Sequence, residues 1–318
     1  MGASWVKAEL RKGNFYAGVY LRKIRMKIHA ECFPCLLNQV LKNARKLKPK
    51  MENHAIIDIQ RAVMQKIIKE NQTKLPYYGK IVYDTLAEYL HEIDPYRKIK
   101  QRDNNRVLKL IPSLTAQLAK SQDPLQLVVK FMIIGNTIDF GAPYNSDLWE
   151  DLEKINELHI PDEILDEFEA DLEKSSQIMI IGDNCGEAVF DKIFVEYLKK
   201  HYPAKRIFYG VRGGPAINDI TLKEAEEIGI TSICNVVEGS ACPGVIFEEV
   251  SPEFSQAFHS SDLILAKGQG NFESLEGISH ESENRPKGSL YFLLKAKCEV
   301  VAAYFNVPIG SLIIKKEL

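Results

Sequence analysis

The chain has 318 residues, 45% of them hydrophobic and 26% charged, enough for one large domain or for two that share a cleft. Its 41 basic and 43 acidic side chains nearly cancel and form no long block of one sign, which argues against nucleic acid or a membrane surface as partner. No run of about 18 apolar residues marks a membrane span, and the six cysteines are too sparse for the framework of a small secreted domain, so a reducing cytoplasm is the expected compartment.

Residues 1–25 are basic but lack an apolar core and a small-residue cleavage site, and no role is expected for them. From Cys32 to about Ala119, apolar residues recur at three- and four-residue spacing, as in 35–47, 55–71, 80–93 and 106–120. This predicts a helical domain over 26–150, punctuated at Leu75-Pro76, Asp94-Pro95 and Asp123-Pro124, where the residue before proline is pushed out of the helical region. Cys32 and Cys35 open the first helix as a CxxC, a spacing suited to metal binding or redox exchange. A structural zinc would need two more ligands, for which His29, Cys234 and Cys242 are available, and a thioredoxin-like motif would need a preceding strand that the sequence lacks. A further helix over 124–139 is apolar over most of its surface and is expected to be buried. Asn136 and Asp139, at its end, are candidates to orient substrate; as polar groups in an apolar context they need partners, and a cap or turn would serve as well.

After an acidic stretch, 147–174, the period changes. Short β-rich runs at 177–183, 206–212, 230–238, 262–268 and 289–296 end in polar residues or glycine and alternate with helical segments such as 186–202 and 221–229. The expected fold class is α/β, with a mainly parallel, Rossmann-like sheet flanked by helices over 151–318 and the ligand crevice at the carboxyl ends of its strands.

Those ends carry the candidate chemistry. Asp183 and Asn184 follow the first run, Asn218 and Asp219 stand in the corresponding place before the helix near Thr221, and two carboxylates with an amide oxygen suit a hard divalent ion. Asp and Asn also favour helix N-caps, so either residue taken alone could be a cap. Glu187, one helical turn beyond Asp183, is a candidate to hold a water or act as a base, although the helix dipole alone favours an acid there. Lys267 ends the fourth run before a glycine-containing loop, where an ammonium and backbone N–H groups could hold a phosphate. No GxGxxG or GxxxxGK[ST] spacing occurs, which disfavours a dinucleotide or P-loop nucleotide.

Five ordered motifs, ECFPC (31–35), IGNTIDFG (134–141), GDNCGEAVFDK (182–192), VRGGPAINDIT (211–221) and AKGQGNFESL (266–275), make the chain from Met26 to Leu318 resemble the damage-control phosphatases. The resemblance implies a helical N-terminal part and a Rossmann-like part. It also implies a divalent ion (Mg, Mn, Co or Ni) on Asp183, Asn184 and Asp219, and a small phosphorylated metabolite, a sugar phosphate or phosphopantetheine-type compound, as substrate. In this reading the ion activates a water, Lys267 stabilises the transferring phosphoryl group, and Asn136, Asp139 and Asn218 help bind substrate. Two alternatives stand beside it: S-adenosylmethionine-dependent methylation of protein carboxylates, described for one branch of the family, and a metabolite-binding regulator without turnover.

Overall fold

The computed structural model describes residues 15–17, 26–136, 152–158 and 160–317. In chain order, helices α1 (Cys32–Leu47), α2 (Asn53–Ile67), α3 (Leu75–Leu90), α4 (Arg97–Leu108), α5 (Ile111–Lys120) and α6 (Pro124–Gly135) precede α7 (Asp162–Lys174). Strands β2 (Gln177–Ile181), β3 (Arg206–Val211), β4 (Asn235–Glu238), β5 (Leu263–Lys267), β6 (Ser289–Lys295) and β7 (Leu312–Lys316) then alternate with α8 (Glu187–His201), α9 (Leu222–Glu227), α10 (Pro252–Ser260), α11 (Gly268–Leu275) and α12 (Glu299–Phe305). The sheet order is β7-β6-β5-β2-β3-β4, all pairs parallel except β6 with β7. A three-residue strand β1 (Phe15–Ala17) runs parallel to β7 at the edge, so part of the N-terminal segment expected to have no role adds to the sheet. The α/β class and the mainly parallel sheet are as expected.

Alternation along the strands divides the core into two layers. Ile178 and Ile180 of β2 face a layer with Phe168, Phe190, Phe194, Tyr209, Leu265 and Leu293, whereas Met179 and Ile181 face one with Phe254, Phe258, Phe272 and Phe292. A third core joins α1, α2 and α3 through Leu36, Val40, Ile59, Val63, Val82 and Leu86.

The helical half is therefore not a single bundle. Helix α6 buries Leu125 and every residue from Leu127 to Gly135, and an all-round apolar helix satisfies itself only inside a larger core. It packs on α8, β6 and β7, in the same core as the sheet, while α1–α3 stand apart over the strand ends. Asp123 caps α6 by accepting the Gln126 N–H at 2.9 Å, with Pro124 in the first turn, where its missing N–H costs nothing. Helix α6 stops at Asn136, and Asp139 lies outside the described residues.

From β2 the chain proceeds outward to β3 and β4, then returns to pair β5 against the other side of β2. Adjacent strands whose connections leave in opposite directions open a crevice at their carboxyl ends. Asp183 follows β2 and Lys267 ends β5, so the candidate residues stand at this switch point. Among the described residues no helix is long and apolar enough to cross a membrane.

Candidate active site

The loops after β2 and β3 are tied together before any side chain is considered. Asn184 and Asp219 form an isolated antiparallel bridge, with Ile220 N–H donating to the Asp183 carbonyl and Cys185 N–H to the Asn218 carbonyl, each at 2.8 Å. This places Asp183, Asn184 and Asp219 side by side. None of them caps a helix. The residue before α8 is Gly186, with no side-chain cap, and α9 is capped by Thr221 in a reciprocal box with Glu224.

Arg212, at the end of β3, holds the two carboxylates from behind. It is buried, its Nε donates to Asp219 Oδ2 at 2.6 Å, its Nη2 to Asp183 Oδ1 at 3.2 Å, and its Nη1 to Asn271 Oδ1 at 2.8 Å and the Gly244 carbonyl at 3.1 Å. Four fixed partners make the guanidinium a rigid clamp rather than a mobile surface charge. The amides of Asn136 and Asn184 donate to Asp183 Oδ2 at 3.0 and 2.8 Å, and Asn136 also donates to Glu187 Oε2 at 2.9 Å. With its amide nitrogen committed to Asp183, Asn184 retains Oδ1 as the atom able to face a cation from the cavity that it lines.

Burial pushes the Asp183 carboxyl well above its usual range, and the neighbouring carboxylates of Asp219 and Glu187 add to this; Arg212 and Lys297 pull the other way. Crowded carboxylates beside an amide oxygen are the chemistry of a hard-cation site, so the residues present fit a divalent ion. Among the described residues, however, no three His, Cys, Asp or Glu side chains are grouped as metal ligands. The set on the cavity floor is two carboxylates and the Asn184 amide.

Lys267 differs from expectation. It is completely buried, with Nζ donating to Glu187 Oε1 at 2.6 Å and Asp191 Oδ1 at 2.7 Å, and it is absent from the cavity lining. Burial opposes its charge, but the two carboxylates outweigh that and hold its pKa above the ordinary lysine value. Asp191 also accepts the Tyr209 hydroxyl at 2.8 Å; burial raises its carboxyl to about 6, with Lys267 opposing. The lysine that does line the cavity is Lys297, just beyond β6. Glu187, Asn136 and Asn218 are likewise fully buried beneath the floor, and the side chain of Asn218 has no hydrogen-bond partner among the described residues.

The cavity has a volume of about 590 Å³. Asp183, Asn184, Asp219 and Lys297 form its polar floor; Leu36, Leu75, Pro76, Tyr83 and Ile217 give an apolar wall shared with α1 and α3; and Cys32, Cys35 and Cys298 lie on the same lining. The CxxC thus opens onto the cavity, and among the described residues no third His, Cys, Asp or Glu completes a metal set with it.

Gly268 connects the two halves of the crevice. Its φ is +78°, and a Cβ built there would lie 1.8 Å from Asp183 Oδ2. Gly268→Ala is therefore expected to cost about 1–2 kcal/mol from the left-handed backbone alone. It should also displace the Asp183 carboxylate, with turnover falling at least tenfold in steady-state assays while circular dichroism stays native.

Arg212, Asp191, Asn271 and Lys297 were not singled out from the sequence. A signal existed for two of them: Asp191 lies four residues after Glu187 on one helix face, and Arg212 ends an apolar run as Lys267 does.

Comparison with known proteins identifies the family. The damage-control phosphatase ARMT1-like domain family matches residues 28–313. A damage-control phosphatase of Pyrococcus horikoshii is 32% identical over 298 residues, covering 91% of this chain and 97% of that protein. An uncharacterised protein of Methanocaldococcus jannaschii is also 32% identical, over 306 residues, covering 92% and 96%. A 4'-phosphopantetheine phosphatase of Mus musculus is 27% identical over 217 residues, 61% of this chain but 26% of that protein. The crystal structure of a DUF89 family protein from Pyrococcus horikoshii superposes with a TM-score of 0.76 at 31% identity, covering 91% of this chain and 98% of the other. The chain belongs to the damage-control phosphatase ARMT1-like domain family.

Proposed function

We propose that this chain is a phosphomonoesterase acting on small phosphorylated metabolites, sugar phosphates or phosphopantetheine-type compounds, with a divalent ion held by Asp183, Asn184 and Asp219. The observation that carries this reading is the bridge that sets Asn184 against Asp219 on the floor of a cavity also reached by Lys297. A bound divalent ion would neutralise phosphoryl charge and lower the pKa of a water. The protein's own contribution is positioning, which suits phosphoryl transfer, where catalysis is mostly orientation and electrostatics. Arg212 fixes the spacing of the two aspartates. Asn136 and Asn184 orient the Asp183 carboxylate so that its geometry is set before substrate arrives. Lys297 takes the phosphate-facing role, and Lys267 acts from below by holding the Glu187 and Asp191 side chains in place. Asn218 supports the loop through its backbone carbonyl.

The test is a screen of phosphorylated metabolites with magnesium, manganese, cobalt and nickel, before and after exhaustive chelation, together with S-adenosylmethionine binding by calorimetry. Phosphate release that disappears with chelator and returns with metal is the expected result. Turnover that survives chelation would remove the ion from the reading, and tight S-adenosylmethionine binding without phosphate release would replace phosphatase by methyl transfer.

A further inference from the structure

The CxxC of α1 has no part in the floor chemistry, yet both of its thiols line the same cavity as the candidate ion site. Cys32 is buried and Cys35 half-buried, and neither is in a disulfide. Each sulfur is an acceptor: the His29 N–H points at Cys32 Sγ at 3.4 Å and the Gln39 amide at Cys35 Sγ at 3.6 Å. Gln39 in turn accepts the hydroxyl of Tyr83, so Cys35, Gln39 and Tyr83 form a polar chain across the wall between α1 and α3.

We infer that Cys32 and Cys35 are a modification site, an oxidisable dithiol that a low-molecular-weight disulfide converts to an intramolecular disulfide, and that this conversion reshapes the cavity wall. Residues three apart on a helix have Cβ atoms about 5–6 Å apart, whereas a disulfide needs about 3.5–4.5 Å, so the first turn of α1 must tighten by roughly 1–2 Å. That turn is free to do so. Glu31 gives it no side-chain cap, Pro34 has no N–H to lose, and the bond from Cys35 N–H to the Glu31 carbonyl is already long at 3.4 Å. Drawing Cys35 toward Cys32 takes its sulfur from Gln39 and loosens the chain to Tyr83. A disulfide that requires such adjustment belongs to the labile class that free thiols readily reduce.

The step balances as thiol–disulfide exchange. Cys35, the more accessible, attacks one sulfur of the incoming disulfide as its thiolate; that S–S bond breaks, and the first small thiol leaves with the proton Cys35 gave up. Cys32 then loses its proton and attacks the Cys35 sulfur of the mixed disulfide, forming the Cys32–Cys35 bond and expelling the second small thiol. The protein loses two electrons and two protons, and one small disulfide becomes two thiols. Burial raises the Cys32 thiol above its usual range, which accords with its acting second. Cys298, also on the lining and raised to about 11 by burial, is the competing partner that the test must distinguish.

The experiment treats the full chain with glutathione disulfide at several ratios to glutathione and reads peptide masses, with turnover of p-nitrophenyl phosphate in parallel. The expected product is a peptide holding Cys32 and Cys35 that is two hydrogens lighter, reverts with dithiothreitol, and is accompanied by a fall in kcat/KM of about fivefold, the size of one displaced wall hydrogen bond. In Cys35→Ser, compared with itself under reduction, the fall should vanish; this half-buried position decides the matter should Cys32→Ser fold poorly. A chain that stays reduced, that stops with glutathione on Cys35, or that joins either thiol to Cys298 overturns the site. A clean Cys32–Cys35 disulfide with unchanged kinetics overturns the reshaping. The kinetic arm rests on the phosphatase reading, and absence of turnover in the fully reduced protein would count against that reading alone, because the masses are read independently of it.

Discussion

Asp219→Asn is expected to lower phosphatase turnover by on the order of a thousandfold, the upper range for loss of one preorganised charge at a reacting phosphoryl group, while leaving the fold intact. Asparagine keeps the shape of aspartate and an oxygen for Arg212 Nε, which now sits 2.6 Å from Asp219 Oδ2. The guanidinium would also retain Asp183, Asn271 and the Gly244 carbonyl, so no buried charge is stranded. Asp219→Ala would empty that position and add a stability loss to the catalytic one, which is why the amide is the cleaner test. Activity titrated against metal concentration and calorimetric metal binding should both shift to weaker affinity. A loss of turnover below tenfold with unchanged metal binding would take Asp219 out of the ion's coordination.

Lys267→Met is expected to destabilise the protein by about 3–5 kcal/mol, because removing one partner of a buried ion pair leaves an uncompensated charge in the core. Two carboxylates, Glu187 and Asp191, lose the ammonium that lies within 2.7 Å of each, and both are completely enclosed. The effect depends on pH in a definite direction. The folded-state pKa of Asp191 is already raised, to about 6 from an ordinary 3.8, so the folded state holds that proton more tightly than the unfolded chain. Its contribution to stability is present at pH below the ordinary value and lost as pH rises through about 6. Without Lys267 the carboxyl moves further up, so the deficit of the variant relative to wild type should be larger at pH 8 than at pH 5 in urea denaturation. Competitive inhibition by inorganic phosphate separates this from a direct phosphate contact. It should persist in Lys267→Met at temperatures where the variant is folded and weaken in Lys297→Met; the reverse pattern, with native stability in Lys267→Met, would return Lys267 to the phosphate.

Much of the site could be read from the chain because chemistry at strand ends is local. An apolar run followed by Asp183-Asn184, and another followed by Asn218-Asp219, places oxygen donors at the same edge of a parallel sheet whatever the order of its strands. Even the choice between ligand and cap was partly legible: Thr221 and Glu224 have capping-box spacing, which leaves Asp219 without that duty. The roles of the lysines were not legible. Lys267 and Lys297 both follow or end apolar runs, and which ammonium turns to the cavity depends on Glu187 and Asp191, about 80 residues away in sequence, as separations of 80 and 76 for the two ion pairs record. The same holds for Arg212, whose partners Asp183 and Gly244 come from two other loops and Asn271 from helix α11.

The α/β class, the switch from helical to strand periodicity near residue 177, the burial of α6 and the donor types at the crevice were legible in the chain, since each follows from residue period or from chemistry at adjacent positions. Tertiary structure alone decided that α6 belongs to the sheet's core while α1–α3 form the cavity wall, that Lys267 faces inward, and that the CxxC opens onto the candidate ion site. Those outcomes turn on contacts between segments far apart in the chain, and a buried ammonium or thiol takes its role from whichever carboxylate or cavity the fold brings to it.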